Sequence, residues 1–323
     1  MHLFSKTLPL LTLAALLPIV FPPGLPAQEA AGTVFRSDTR LVVLHASVVD
    51  KGGHLMTTLS KDAFKVFEGK VEQPIKKVTR EDVPVSLGLV IDNSGSMRDK
   101  RKKVETAALD MVKASNPRDE VTIINFNDEA FQDVEFTSDV KKMEEGLTRI
   151  DSRGGTAMRD AISTTIDYLK EKGKHSKKVI VVITDGDDNA SSTAMTLERL
   201  VQKAQKSEVL LYMVGLLSEE SKRDANRAKH ALQVLADASG ASASFPKELT
   251  DVDKVTVGIA GEIRSQYIIE YNPVNQNFDG GFRTVRVAVN APGKPAVRTR
   301  TGYYATPDAP TKATSKSAQV TSR

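Results

Sequence analysis

The sequence has no cysteine in 323 residues. That excludes a disulfide framework, thiol catalysis, Cys-ligated zinc and iron–sulfur chemistry. It also removes the thiol that a bacterial lipid anchor needs. Aromatic residues make up only 5%, too few for the stacking platforms that grip single-stranded nucleic acid, and the net charge of +4 gives no reason of its own to expect a nucleic-acid partner. Histidine is scarce as well. The five, His2, His45, His54, His175 and His230, form no i, i+4 pair, so a zinc-protease helix is missing. No G-x-x-x-x-G-K-[ST] cradle for nucleotide phosphates and no G-x-S-x-G nucleophile elbow occurs. Long apolar runs are missing except at the N-terminus, where "LPLLTLAALLPIVF" (residues 8–21) follows a basic residue and precedes a Pro-rich stretch ending at Ala27. The run is shorter than the ~20 residues of a spanning helix. It reads as a signal peptide over 1–27, cleaved near Ala27, which leaves no membrane span and a secreted or periplasmic bacterial protein.

What is present divides into three. After a linker over 28–40, residues 41–82 read as short strands: "LVVLHASVVD" ends in the turn "DKGG", and "AFKVFEGK" alternates before Gly69. Residues 83–264 alternate strand and helix. "VSLGLVID", "EVTIINFN", "KKVIVVITDG" and "EVLLYMVGLL" are apolar on both faces. Between and after them lie helical segments near 100–115, 138–150, 157–171, 195–207, 220–238 and 251–264. Such text predicts an α/β fold, a doubly wound and mainly parallel sheet covered on both sides. Residues 265–305 return to strands ("YIIEYNP", "RTVRVAVN", "AVRTRTGYY"), and 306–323 read as a disordered tail. Each β-rich flank alone is marginal for an independent core. The two are therefore expected to join in a small β-sandwich-like domain into which the α/β unit is inserted, the other arrangement being two separate β elements.

Three loops carry the chemistry. "DNSGSM" ends the first α/β strand, "GGT" precedes a helix, and "TDG" ends the most apolar strand. In a doubly wound sheet ligands bind beyond the strand C-termini. There Asp92, Ser94, Ser96, Thr156 and Asp185 would supply two carboxylates and three hydroxyls. All are hard oxygen donors suited to a small divalent cation, Mg²⁺ or Mn²⁺. On these motifs and their order, residues 83–264 resemble the von Willebrand factor type A (vWA) domain with its metal-ion-dependent adhesion site. The flanks, through "KDAFKVFEGK" and "TGYYA", are more loosely similar to secreted bacterial vWA-related proteins. The resemblance implies that protein oxygens fill most of a metal shell and that an exposed Asp or Glu of a partner protein completes it. It also implies that Thr156 approaches the metal in an open form, with a shift of the last α/β helix. The function expected is thus non-enzymatic, metal-dependent protein binding. The alternatives are a metal-dependent hydrolase using Asp92 and a structural module whose metal site is unused.

Two neighbouring features carry expectations of their own. Asp187 and Asp188 are expected to face solvent and open a loop; facing the metal instead, they would tighten it and oppose an acidic partner. The run "MRDKRKK" (97–103) is expected to form a solvated basic face, with recruitment of an anionic partner as the alternative.

Overall fold

The chain opens with strands in the computed structural model, which describes residues 40–148 and 152–306. The leader, residues 28–39 and the tail from 307 onward lie outside the described residues. Strand β1 (Val42–Val49) is followed by β2 (Phe64–Glu68), β3 (Val71–Gln73) and β4 (Ile75–Thr79). Glu68 pairs with Val71, so β2 and β3 are joined by a two-residue loop whose first position is Gly69 at φ +56°. Glycine there meets the demand of a type II′ hairpin for a left-handed residue.

The central layer runs β5 (Val85–Asp92), α1 (Arg101–Ala114), β6 (Glu120–Phe126), β7 (Ala130–Thr137), α2 (Val140–Leu147), α3 (Met158–Lys172), β8 (Lys177–Thr184), α4 (Leu197–Ser207), β9 (Leu210–Gly215), α5 (Lys222–Ser239), β10 (Ala243–Ser244) and α6 (Val252–Ser265). The strands form one sheet in the order β10-β9-β8-β5-β6-β7, parallel throughout except for the antiparallel edge strand β7. Period-2 geometry divides the apolar residues between two faces. Leu87, Leu89 and Ile91 of β5 share a core with α1, α2 and α6, whereas Val90 shares one with α3, α4 and α5. Each fully buried Val, Leu or Ile contributes roughly 1.5–3 kcal/mol, so this layer is a firm base for the loops at its end. The helix starts are fixed locally. Asp139, Thr196 and Ser221 accept backbone N–H groups at the N-termini of α2, α4 and α5.

Three departures from the sequence reading concern this layer, one being the short strand β10 between α5 and α6, where no strand was expected. Strand β7 lies where no strand was expected. It is an edge strand whose only buried residue is Val134, so it lacks the apolar density that marks the interior strands. Helix α2 ends at Leu147 rather than near residue 150, and 149–151 are not described.

The chain ends with β11 (Tyr267–Tyr271), β12 (Phe282–Val289), β13 (Ala296–Arg298) and β14 (Gly302–Tyr304). Two further four-stranded sheets, β13-β1-β11-β4 and β14-β12-β2-β3, each draw strands from both sides of the central layer. Leu44 pairs with Ile269, and Val66 with Val287. The two sheets share one apolar core that includes Leu44, Phe64, Val66, Ile269, Tyr271 and Val287. Within it, the hydroxyls of Tyr271 and Tyr303 both donate to Glu68 Oε1, at 2.8 and 2.7 Å. Thr79 pairs with Ile268, so the chain enters and leaves the central layer side by side. Among the described residues no helix is long and apolar enough to cross a membrane.

Candidate metal centre

Strand β5 lies between β6 and β8, so the chain leaves it to one side and later returns on the other. This is the topological switch point of the sheet, where a crevice opens beyond the strand C-termini. Asp92 is the last residue of β5, and Asp185 directly follows the last residue of β8. The two carboxylates therefore come from adjacent strands.

A chain of hydrogen bonds links four of the five candidate ligands. Asp92 Oδ1 accepts from the Ser94 backbone N–H at 2.9 Å. The Ser94 and Ser96 hydroxyls are 3.2 Å apart, and Ser96 Oγ donates to Asp185 Oδ1 at 2.9 Å. The second oxygen of Asp92 accepts from Thr184 Oγ1 at 2.5 Å. A tight turn over 94–97 brings alternate side chains to one side of the loop.

The fifth residue, Thr156, is 4% exposed and is tied in through its backbone. Its N–H donates to Asn189 Oδ1 at 2.9 Å, and its carbonyl accepts from the N–H groups of Asn189 and Ala190. Its loop meets the first one where Gly95 N–H donates to Gly154 O at 3.2 Å and Arg153 N–H to Asn93 O at 3.0 Å. Gly154 sits at φ +76°, and a Cβ there would lie 2.2 Å from Asp128 Oδ2. Only glycine lets these loops close up. Among the described residues the Thr156 hydroxyl makes no hydrogen bond to the other four candidates.

Asp92 and Asp185 are 2% and 1% exposed. Burial pushes the Asp92 carboxyl up to about 6 against the pull of the Thr184 and Ser94 hydrogen bonds, and the nearby Asp185 charge pushes the same way. Among the described residues no cation pairs with Asp92. A buried carboxylate without a counter-charge is expensive, and a bound cation removes the expense. With hydroxyls alongside, the donor set fits a hard divalent ion. Asp185 does have a cation: Lys100 Nζ lies 2.7 Å from its Oδ2 and 2.8 Å from Glu219 Oε2.

The surroundings correct two expectations. Asp188 does not face solvent. Its side chain is 4% exposed, accepts from Arg159 N–H at 2.7 Å and Ser191 Oγ at 2.6 Å, and pairs with the Arg159 guanidinium at 3.1 Å. It thus anchors the start of α3, next to Thr156. Asp187 pairs with Arg227. Neither carboxylate is left free to oppose an acidic partner. The basic run is not a free face either, because Lys100 is buried at the site, Arg101 pairs with Glu105 at 2.6 Å, and Lys103 pairs with Asp253 of α6. Sequence reasoning missed Thr184, Asn189 and Glu219 as parts of the site, and placed Lys100 only within the basic run. Lys100 carried one available signal: it is the residue before the first turn of α1, a position that favours Ser, Thr, Asp or Asn.

Residues 87–187 match a family model described as the von Willebrand factor type A domain. Integrin alpha-11 of Mus musculus is 30% identical over 115 residues, 33% of this chain and 9% of integrin alpha-11. The chain therefore spans less than a tenth of that relative's length. Among solved structures, a von Willebrand factor type A protein from Catenulispora acidiphila is similar with a TM-score of 0.49 at 13% identity, over 80% of this chain and 71% of that one. Proximal thread matrix protein 1 from the mussel byssus, solved with a zinc-occupied MIDAS motif, is similar with a TM-score of 0.47 at 14% identity, over 61% and 49%.

Proposed function

We propose that the protein, whose residues 87–187 match a von Willebrand factor type A domain model, is a non-enzymatic binding module that grips an acidic partner protein through a divalent ion. Asp92, Ser94, Ser96, Thr156 and Asp185 hold the ion, Mg²⁺ or Mn²⁺. The observation that carries this reading is the hydrogen-bonded chain from Asp92 through Ser94 and Ser96 to Asp185, with Asp92 buried and paired with no cation among the described residues. When bound, the ion supplies a Lewis-acidic point for an anionic oxygen. Two carboxylates neutralise a divalent charge, and the neutral hydroxyls leave the ion attractive to an Asp or Glu side chain of the partner. The leader expected over 1–27 would place this module outside the cytoplasm, secreted or periplasmic.

The surroundings of Asp92 favour binding over hydrolysis. Asp92 is 2% exposed, which leaves it poorly placed to reach a substrate as a nucleophile. The test is a pull-down by wild type and Asp92→Asn, with Mg²⁺ or with a chelator. The proposal expects a partner that elutes with chelator and does not bind Asp92→Asn. A partner retained equally under all conditions would contradict it.

A further inference from the structure

We propose that Lys100 is a built-in counter-cation of the metal site, loosening the grip on the ion and leaving the loaded site with a net positive charge that selects an acidic partner. The inference rests on the metal-binding reading of Asp92 and Asp185.

Three observations lead to it. First, Lys100 is buried, with its side chain 9% exposed, and its ammonium is shared between Asp185 Oδ2 at 2.7 Å and Glu219 Oε2 at 2.8 Å. Asp185 is thereby divided: Oδ1 faces the Ser96 hydroxyl and Oδ2 faces the ammonium. Second, the position is a poor one for a lysine. It is the N-cap of α1, where a cation opposes the helix dipole and caps nothing. A side chain kept in so unfavourable a place is held there by what it touches. Third, its two carboxylates differ. Asp185 is enclosed, whereas the Glu219 side chain is 73% exposed and its charge is screened.

The charge balance follows. Asp92 and Asp185 supply two negative charges against a divalent ion, and Lys100 adds one positive charge that water does not screen. The loaded site then stands at plus one, and a single Asp or Glu of the partner neutralises it. Without Lys100 it stands at zero, with a tighter ion and less pull on the partner. Glu219 counteracts part of the Lys100 charge from the rim.

The test titrates Mn²⁺ into the full chain by calorimetry at fixed ionic strength. Lys100→Met is expected to bind Mn²⁺ about tenfold tighter than wild type. Lys100→Arg, which keeps the charge, is expected to stay within about threefold. Glu219→Gln alters an exposed residue without threatening the fold, and should move the opposite way, to about threefold weaker binding. With the site saturated by Mn²⁺, relaxation enhancement of acetate protons should fall in Lys100→Met. A purely structural role for Lys100 would not give opposite signs for the two charge removals. Lys100→Met binding no tighter than wild type, Glu219→Gln binding no weaker, or unchanged acetate relaxation would overturn the proposal. Should Lys100→Met fail to fold, Lys100→Gln takes its place, with the same tighter Mn²⁺ binding expected. A wild type with no saturable Mn²⁺ binding would instead overturn the metal-binding reading itself.

Discussion

The two ends of β8 bury opposite charges and treat them differently. At its start, Lys177 is 5% exposed and donates to the Ile263 carbonyl at 2.5 Å. Burial pulls its ammonium down to about 8. Beside it His45 is pulled down to about 3, by burial first and then by the Lys177 and Arg300 charges, and its Nδ1 is buried without a partner. Burial works against the charged form of both bases at this end. At the other end, Asp92 is under the same pressure toward neutrality, but its oxygens accept from Ser94 N–H and Thr184 Oγ1, and Asp185 beside it pairs with Lys100. Burial alone is therefore no mark of function. What separates the ends is that Asp92, Ser94, Ser96 and Asp185 are linked by hydrogen bonds at the C-terminal end, whereas at the N-terminal end His45 Nδ1 is buried without a partner.

Exchange of charge for neutrality at each end should break this contrast. Asp92→Asn is expected to weaken Mn²⁺ binding by about 100-fold or more. It should at the same time stabilise the metal-free protein at pH 7 by roughly 2–3 kcal/mol, because a carboxyl raised from 3.8 to about 6 in the fold opposes folding once ionised. Calorimetry and chelated denaturant melts read the two effects. The pH dependence sharpens the same point. The folded state favours protonated Asp92, so its contribution is fully present below about pH 3.8 and is lost as pH rises through about 6, where Mg²⁺ should restore stability. His45 has the reverse sign. Its folded value is lowered from 6.5 to about 3, so stability is whole above pH 6.5 and drains away as pH falls toward 3. His45→Gln should flatten the acid limb of the stability profile and leave the Mg²⁺ response unchanged. A smaller effect is expected of Lys177→Met, about 1 kcal/mol of added stability at pH 7 with Mn²⁺ affinity within twofold of wild type. Smallest is Tyr303→Phe, which removes one of the two hydroxyls on Glu68 and should cost about 1 kcal/mol or less in urea melts, with no change in metal binding.

The sequence made the interior of the central layer legible because β5, β6 and β9 are buried at every position and consist mostly of apolar residues. The three loops were legible for the same reason: each adjoins an unmistakable strand or helix. What did not show had no local signature. Strand β7 is half exposed and is defined by its register with β6. Lys100 reads as one of five cations in seven residues until Asp185, 85 positions away, is found beside it. Asp188 looks like a turn residue, and only the return of Arg159 and Ser191 to it makes it a buried anchor. Phe131 is 46% exposed on the edge strand, whereas Phe126 on the neighbouring interior strand is fully buried. Pairings set by tertiary register are invisible to periodicity, which reports only which face of an element is apolar.

The most direct test of the metal centre is anomalous diffraction from crystals of the full chain grown with Mn²⁺. The account predicts one strong peak in contact with the Ser94 and Ser96 hydroxyls and flanked by Asp92 and Asp185. A peak confined to other residues, or none at saturating Mn²⁺, would contradict it.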